Sequence, residues 1–96
     1  MAEALNDSQV TEALRGLAGW QHRDDRLTKA FGFADFKEAL AFINRVGDAA
    51  EAMSHHPELR NVYNRVEIGL CTHDAGDRVT VLDVELAGKI DAAASA

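Results

Sequence analysis

The residues with the types and spacing to do chemistry lie in a short stretch, Glu51-x-x-x-His55-His56-Pro57, and in a further histidine, His73. Imidazole titrates next to neutral pH, so histidines set beside a carboxylate are suited to give and take protons. On a helix running up to Pro57, Glu51 and His55 stand four residues apart and share one face at its C-terminal end. There the carboxylate orients the ring, and the negative end of the helix favours its protonated form. His56 points elsewhere, about 100° further round or already off the helix. Spacing alone equally allows a bland reading. Glu51 and His55 then form a surface pair contributing about a few tenths of a kcal/mol, and His73 is an ordinary loop residue.

Positioning these groups requires a particular order of elements. The apolar positions Val10, Leu14 and Leu17 recur at helical spacing, with Ser8 as a candidate cap. Residues 20–22 and 27–33 read as strands, joined by a hairpin turn at Arg23-Asp24-Asp25-Arg26. In the second strand Leu27, Lys29, Phe31 and Phe33 alternate with small residues, so the aromatic side faces a core. Asp35 with Glu38 three residues later resembles a capping box, and opens a helix with the stripe Phe36, Leu40, Ile43, Gly47, Ala50 and Met53. Pro57 ends that helix. Residues 61–72 are strand-like, with a turn at Asn61 or Asn64 and with Val62, Val66, Ile68 and Leu70 on one face. Thr80 caps a last helix carrying Leu82, Leu86 and Ile90. Strands come in adjacent pairs, which predicts an α+β fold: an N-terminal helix plus β-β-α-β-β-α, with a small antiparallel sheet of about four strands covered on one face by helices.

The 96 residues make a single domain spanning residues 1–96. At 47% hydrophobic and 27% charged the composition is that of a folded globular chain. A net charge of −6 without any Lys/Arg cluster argues against nucleic acid as a partner. The single Cys71 excludes an intrachain disulfide and fits a reducing compartment. The polar N-terminus lacks the apolar run of a signal peptide, and no stretch is long enough to span a membrane, so the expected location is cytoplasmic. A chain this small buries only about 60–65% of its unfolded surface. That and the exposed sheet edges favour association into a homodimer or homotetramer.

The run Glu51-Ala52-Met53-Ser54-His55-His56-Pro57, followed by Asn61-Val62-Tyr63-Asn64, Thr72-His73 and Asp83, resembles the signature of the pterin-4a-carbinolamine dehydratase family. Gly19-Trp20 and Phe31-Gly32-Phe33-Ala34-Asp35-Phe36 resemble its first hairpin and central helix, and the likeness spans residues 14–92. It implies dehydration of 4a-hydroxytetrahydrobiopterin to the quinonoid dihydropterin, recycling the cofactor of aromatic amino acid hydroxylases, in a cleft without metal or cofactor. By the same resemblance His55 and His73 transfer protons and His56 contacts substrate. Glu51 and Asp83 orient imidazoles or bind the pterin edge, Trp20 forms pocket wall, and Pro57 belongs to the substrate-orienting set. Ser54 stands where many members carry Asp or Asn, and Leu59 replaces a frequent Trp.

Two other classes compete. A zinc site from His55, His56, His73 and Glu51 is disfavoured because adjacent histidines rarely ligate one ion. A non-enzymatic interaction or assembly module on the same fold is the main alternative. For the residues outside the site, Asp83 three positions after Thr80 also suits helix capping, and Trp20 also suits a core anchor.

Overall fold

The computed structural model describes residues 2–96. Helix α1 (Asp7–Leu14) begins at Asn6 rather than at Ser8. The Asn6 side chain accepts from the Gln9 backbone N–H at 2.8 Å, and the Gln9 side chain accepts from the Asn6 N–H at 2.9 Å. This reciprocal pair satisfies two of the free donors of the first turn, which a Ser8 cap would have left for water.

Strands β1 (Gln21–Arg23) and β2 (Arg26–Gly32) form the expected hairpin. Asp24 and Asp25 both take left-handed backbone angles, φ 50° and 60°. A turn of that hand matches the twist of the two strands, and Asp tolerates it better than most side chains.

Helix α2 (Phe36–Met53) starts where predicted, with Asp35 accepting from the Glu38 N–H at 2.9 Å. Its buried stripe differs from the predicted one: Ala39, Phe42, Val46 and Ala50 face the core, while Phe36 and Leu40 are exposed. Two apolar stripes overlap on this helix, offset by about one residue or 100°. The one with Phe42 at its centre wins, because Phe42 stacks against both Phe31 and Phe33 at ring-centroid distances of 4.9 and 4.8 Å.

Strands β3 (Glu58–Val62) and β4 (Arg65–Leu70) form the second hairpin, turning at Tyr63 and Asn64. Asn64 donates from its side chain to the Phe33 carbonyl at 2.8 Å and accepts the Phe33 N–H at 2.9 Å, locking the turn to the end of β2. Val66, Ile68 and Leu70 are buried as predicted, but Val62 is not. The two-residue turn pairs Val62 with Arg65, and paired residues share a face, so Val62 lies on the open side of the sheet.

Helix α3 (Val81–Ala94) completes the chain, capped by Thr80 with Asp83 in a reciprocal box. The sheet order is β1-β2-β4-β3, antiparallel throughout. Helix α2 lies over β4, α3 lies over β2, and the two helices pack on each other. The fold is the predicted α+β arrangement. Leu27, Phe31, Val66, Ile68 and Leu70 meet Phe42, Val46, Leu86 and Ile90 in one core. The other sheet face is left open. Edge strands β1 and β3 carry unpaired backbone groups along their outer sides.

Candidate active site

Three imidazole–carboxylate pairs gather where α2 ends, β3 begins and β4 runs out. The end of α2 decides how they are arranged. Ser54 adopts a left-handed conformation, φ 51°, and the His55 N–H returns to the Ala50 carbonyl at 3.0 Å. This is the usual way a helix closes, except that a glycine commonly occupies the left-handed position. Because the helix stops at Met53, His55 is already off its surface and does not share a face with Glu51. The expected Glu51–His55 pairing is therefore replaced. Glu51 Oε1 sits 3.0 Å from His56 Nε2, in an exposed pair.

His55 turns inward instead. Its Nε2 lies 2.6 Å from Asp83 Oδ1, and the two side chains are only 9% and 0% exposed. Asp83 belongs to the first turn of α3, where its other oxygen, Oδ2, accepts the Thr80 N–H at 2.9 Å. The capping and imidazole-orienting readings of Asp83 thus hold together, one on each oxygen. A carboxylate with no solvent contact is costly to bury unless every lone-pair direction is met by donors. Here donors converge from three residues, and no buried side-chain polar atom among the described residues lacks a partner.

His73 begins a single 3-10 turn (His73–Ala75) directly after the last residues of β4. The turn is closed by a bridge, with the Thr72 N–H donating to the Arg78 carbonyl at 2.8 Å, and by Gly76 and Asp77 in left-handed conformations. His73 Nδ1 lies 3.0 Å from Asp77 Oδ1 on the same loop. The hydrogen bond and charge of Asp77, with a smaller contribution from Asp74, raise the pKa of His73 above the ordinary imidazole value. The ring is fully open to solvent, so it is available to a ligand.

His56 and His73 line one cleft of about 260 Å³ with Arg26, Pro57, Glu58, Gly69 and Cys71. Arg26 and Glu58 form an ion pair across its mouth. Burial pushes the Cys71 thiol up in pKa, Arg26 partly offsets this, and Asp77, Asp83 and Glu58 add to it. At neutral pH the thiol stays protonated, and it is a packing group rather than a nucleophile. A larger trough of about 710 Å³ runs along the open sheet face and shares Arg26, Glu58 and Gly69 with the cleft. It holds none of the histidines.

His55 is not among the residues lining the smaller cleft, and neither is Trp20. Trp20 is 5% exposed, packs edge-on to Phe31, and donates its indole N–H to Asp91 at 3.0 Å. Lys29 joins the same carboxylate at 2.9 Å. Trp20 therefore fastens the end of the α1–β1 connection to α3, and the core-anchor reading replaces the pocket-wall one. The partner of that anchor, Asp91, carried no signal in the sequence because it is one acidic residue among several on α3. Thr72, Asp77 and Arg26 were also not singled out for the site. A threonine beside a candidate histidine, and a carboxylate four residues after it, are the signals from which the first two could have been found.

A family model described as pterin 4 alpha carbinolamine dehydratase matches residues 3–93. A protein of Bradyrhizobium sp. strain BTAi1, named "Putative pterin-4-alpha-carbinolamine dehydratase", is 50% identical over 97 residues, covering 99% of this chain and 97% of its own length. A Sulfurisphaera tokodaii protein of the same name is 46% identical over 87 residues, covering 91% and 92%. Among solved structures, a transcriptional coactivator/pterin dehydratase from Brucella melitensis superposes with a TM-score of 0.91 at 42% identity, over 96% of this chain and 99% of that one. A pterin dehydratase-like protein identified as a RuBisCO assembly factor in the alpha-carboxysome shares the fold, with a TM-score of 0.65 at 23% identity over 80% and 88%.

Proposed function

The chain belongs to the pterin-4a-carbinolamine dehydratase family, and on that premise we propose that it removes water from 4a-hydroxytetrahydrobiopterin to give the quinonoid dihydropterin. The observation that carries the reading is the cleft itself. Two histidines line it, one with its pKa raised by a carboxylate, and a third histidine in the same connection is seated on a buried aspartate.

The chemistry asks for two proton movements. Hydroxide is a poor leaving group, so the C4a–O bond breaks as the oxygen takes a proton and departs as water. His73 is the acid for that step. The Asp77 carboxylate keeps more of its ring protonated near neutral pH, and its full exposure lets it meet the hydroxyl. The electron pair for the new C=N bond comes from a ring N–H, whose proton passes to His55 as base. The positive charge that develops on His55 is met by Asp83, whose orientation is fixed before the reaction begins. His56, held by Glu51, and Pro57 contact the bound ring. Each proton transfer of this kind typically contributes about 10² to 10⁴-fold in rate. No step calls for a metal or an organic cofactor.

The same reading makes the protein a cytoplasmic enzyme recycling the pterin cofactor of an aromatic amino acid hydroxylase, working as a homodimer or homotetramer through its free strand edges. The reading is tested by mixing the protein with freshly generated 4a-hydroxytetrahydrobiopterin and following dehydration by absorbance. Acceleration over buffer supports it. A folded chain that neither accelerates the reaction nor binds a dihydropterin would instead be an interaction or assembly module; the carboxysome protein of the same fold is described as a RuBisCO assembly factor.

A further inference from the structure

The buried side of the site extends beyond Asp83. Thr72 Oγ1 lies 2.8 Å from Asp83 Oδ2 and 2.7 Å from Thr80 Oγ1, and the Leu82 N–H donates to Thr80 Oγ1 at 3.2 Å. Thr72 is 6% exposed and Thr80 and Asp83 are 0% exposed, so water does not compete for these bonds. The chain has only one consistent direction. A carboxylate accepts and cannot donate, and each hydroxyl has a single proton. The Thr72 proton therefore goes to Asp83, which obliges Thr80 to give its proton to Thr72. Thr80 in turn accepts from the Leu82 backbone. Oδ1 of the same carboxylate can likewise only accept, so its 2.6 Å contact places the hydrogen on His55 Nε2.

We propose that Thr72, backed by Thr80, is a positioning residue that holds His55 in its Nε2–H tautomer through Asp83 and so leaves Nδ1 unprotonated, as the dehydratase reading requires of a base. Helix α3 supplies the root of this arrangement, because Leu82 N–H and Thr80 N–H are both free donors of its first turn. A helix end that must be capped for stability thus also fixes the protonation pattern of a catalytic ring. Thr72 does so without lining the cleft, although its neighbours Cys71 and His73 both do. Loss of its hydroxyl leaves Asp83 Oδ2 with the Thr80 N–H alone, a single pivot about which Oδ1 can turn away from His55. The ring then samples both tautomers, and only a fraction of the molecules keep Nδ1 unprotonated.

The inference rests on the dehydratase reading for its kinetic consequence but not for its spectroscopic one. Long-range proton–nitrogen NMR on the wild-type protein at alkaline pH reads the tautomer directly. A single Nε2–H form is expected, and an Nδ1–H form overturns the proposal without any variant. Thr72→Val should give a mixture of the two forms and a kcat lower by about tenfold, the size associated with one hydrogen bond to a charged group. Its KM should change by less than about twofold, because Thr72 does not touch the cleft, as uniform binding is unaffected. Thr72→Ser restores the hydroxyl and should recover both the single tautomer and the rate. A folded Thr72→Val protein with the wild-type tautomer and kcat would contradict the role. If the wild-type protein shows the Nε2–H form and Thr72→Val mixes it, yet neither dehydrates the pterin, the positioning role stands and the dehydratase reading falls.

Discussion

The same chemical pair, an imidazole beside a carboxylate, occurs in this site in two different settings. His55–Asp83 is closed to solvent, with side chains 9% and 0% exposed, whereas His73–Asp77 stands in water at 92% and 62%. In the first, removing either partner leaves a polar group stranded in a low dielectric, so the pair is bound up with the stability of the fold. In the second, water replaces whatever is lost, and the pair is worth little to folding. Its carboxylate acts on the titration of one ring. The comparison separates two tasks that a catalytic histidine must meet, being held and being reachable, and assigns them to different residues.

The sharpest way to break the contrast is to remove the carboxylate on the buried side. Asp83→Ala should destabilise the protein by about 3 kcal/mol or more, since it strands the buried donors of His55, Thr72 and Thr80 at about 1–3 kcal/mol each. For a domain of this size that lowers Tm by more than about 12 °C, read by thermal unfolding followed by circular dichroism. A fall of only a degree or two would mean that the buried pair is not a unit of the fold. On the exposed side, His73→Ala should leave Tm unchanged and reduce the dehydration rate by about 10²-fold or more.

Asp77→Asn sharpens the comparison at the level of titration. Asp77 contributes the hydrogen bond and the main charge that raise the pKa of His73, while Asp74 remains. The proton NMR titration of His73 should therefore move to lower pH. A group whose pKa is raised on folding contributes stability below its ordinary titration range and loses that contribution as pH rises through the raised value. On a fully exposed ring the consequence is seen in the alkaline limb of the rate profile, which should move down with the titration, rather than in Tm. An unchanged His73 titration would remove Asp77 from the account. The smallest effect is expected for Glu51→Gln, which weakens an exposed contact to His56 and should alter Tm by less than about 3 °C, since such pairs contribute at most a fraction of a kcal/mol.

The exposed groups and the buried ones also differed in how far the sequence disclosed them. Regular elements were readable wherever one local signal decided them. Asp35 with Glu38 marked the start of α2, the Asp24-Asp25 turn marked the first hairpin, and alternation marked the buried face of β4. The arrangement of the site was not readable from spacing, because it turns on one residue. A serine at position 54 in a left-handed conformation ends α2 before His55, so that Glu51 meets His56 and His55 turns inward to Asp83. Periodicity treats such a residue as one more helical position. The register of α2 was missed for a related reason. Phe36 and Leu40 make as good a stripe as Phe42 and Val46, and only the rings of Phe31 and Phe33 on β2 and its extension choose between them. Contacts of long sequence separation, such as Trp20 with Asp91, left no local trace at all.

The most direct measurement is the single-turnover dehydration of freshly generated 4a-hydroxytetrahydrobiopterin, by stopped-flow absorbance, with the wild-type protein beside His73→Ala and His55→Ala. The account predicts a wild-type acceleration that is largely lost in both variants, with the circular dichroism of His73→Ala unchanged. A wild-type protein that is folded and gives no acceleration, or a His73→Ala variant that keeps the full rate, would contradict it.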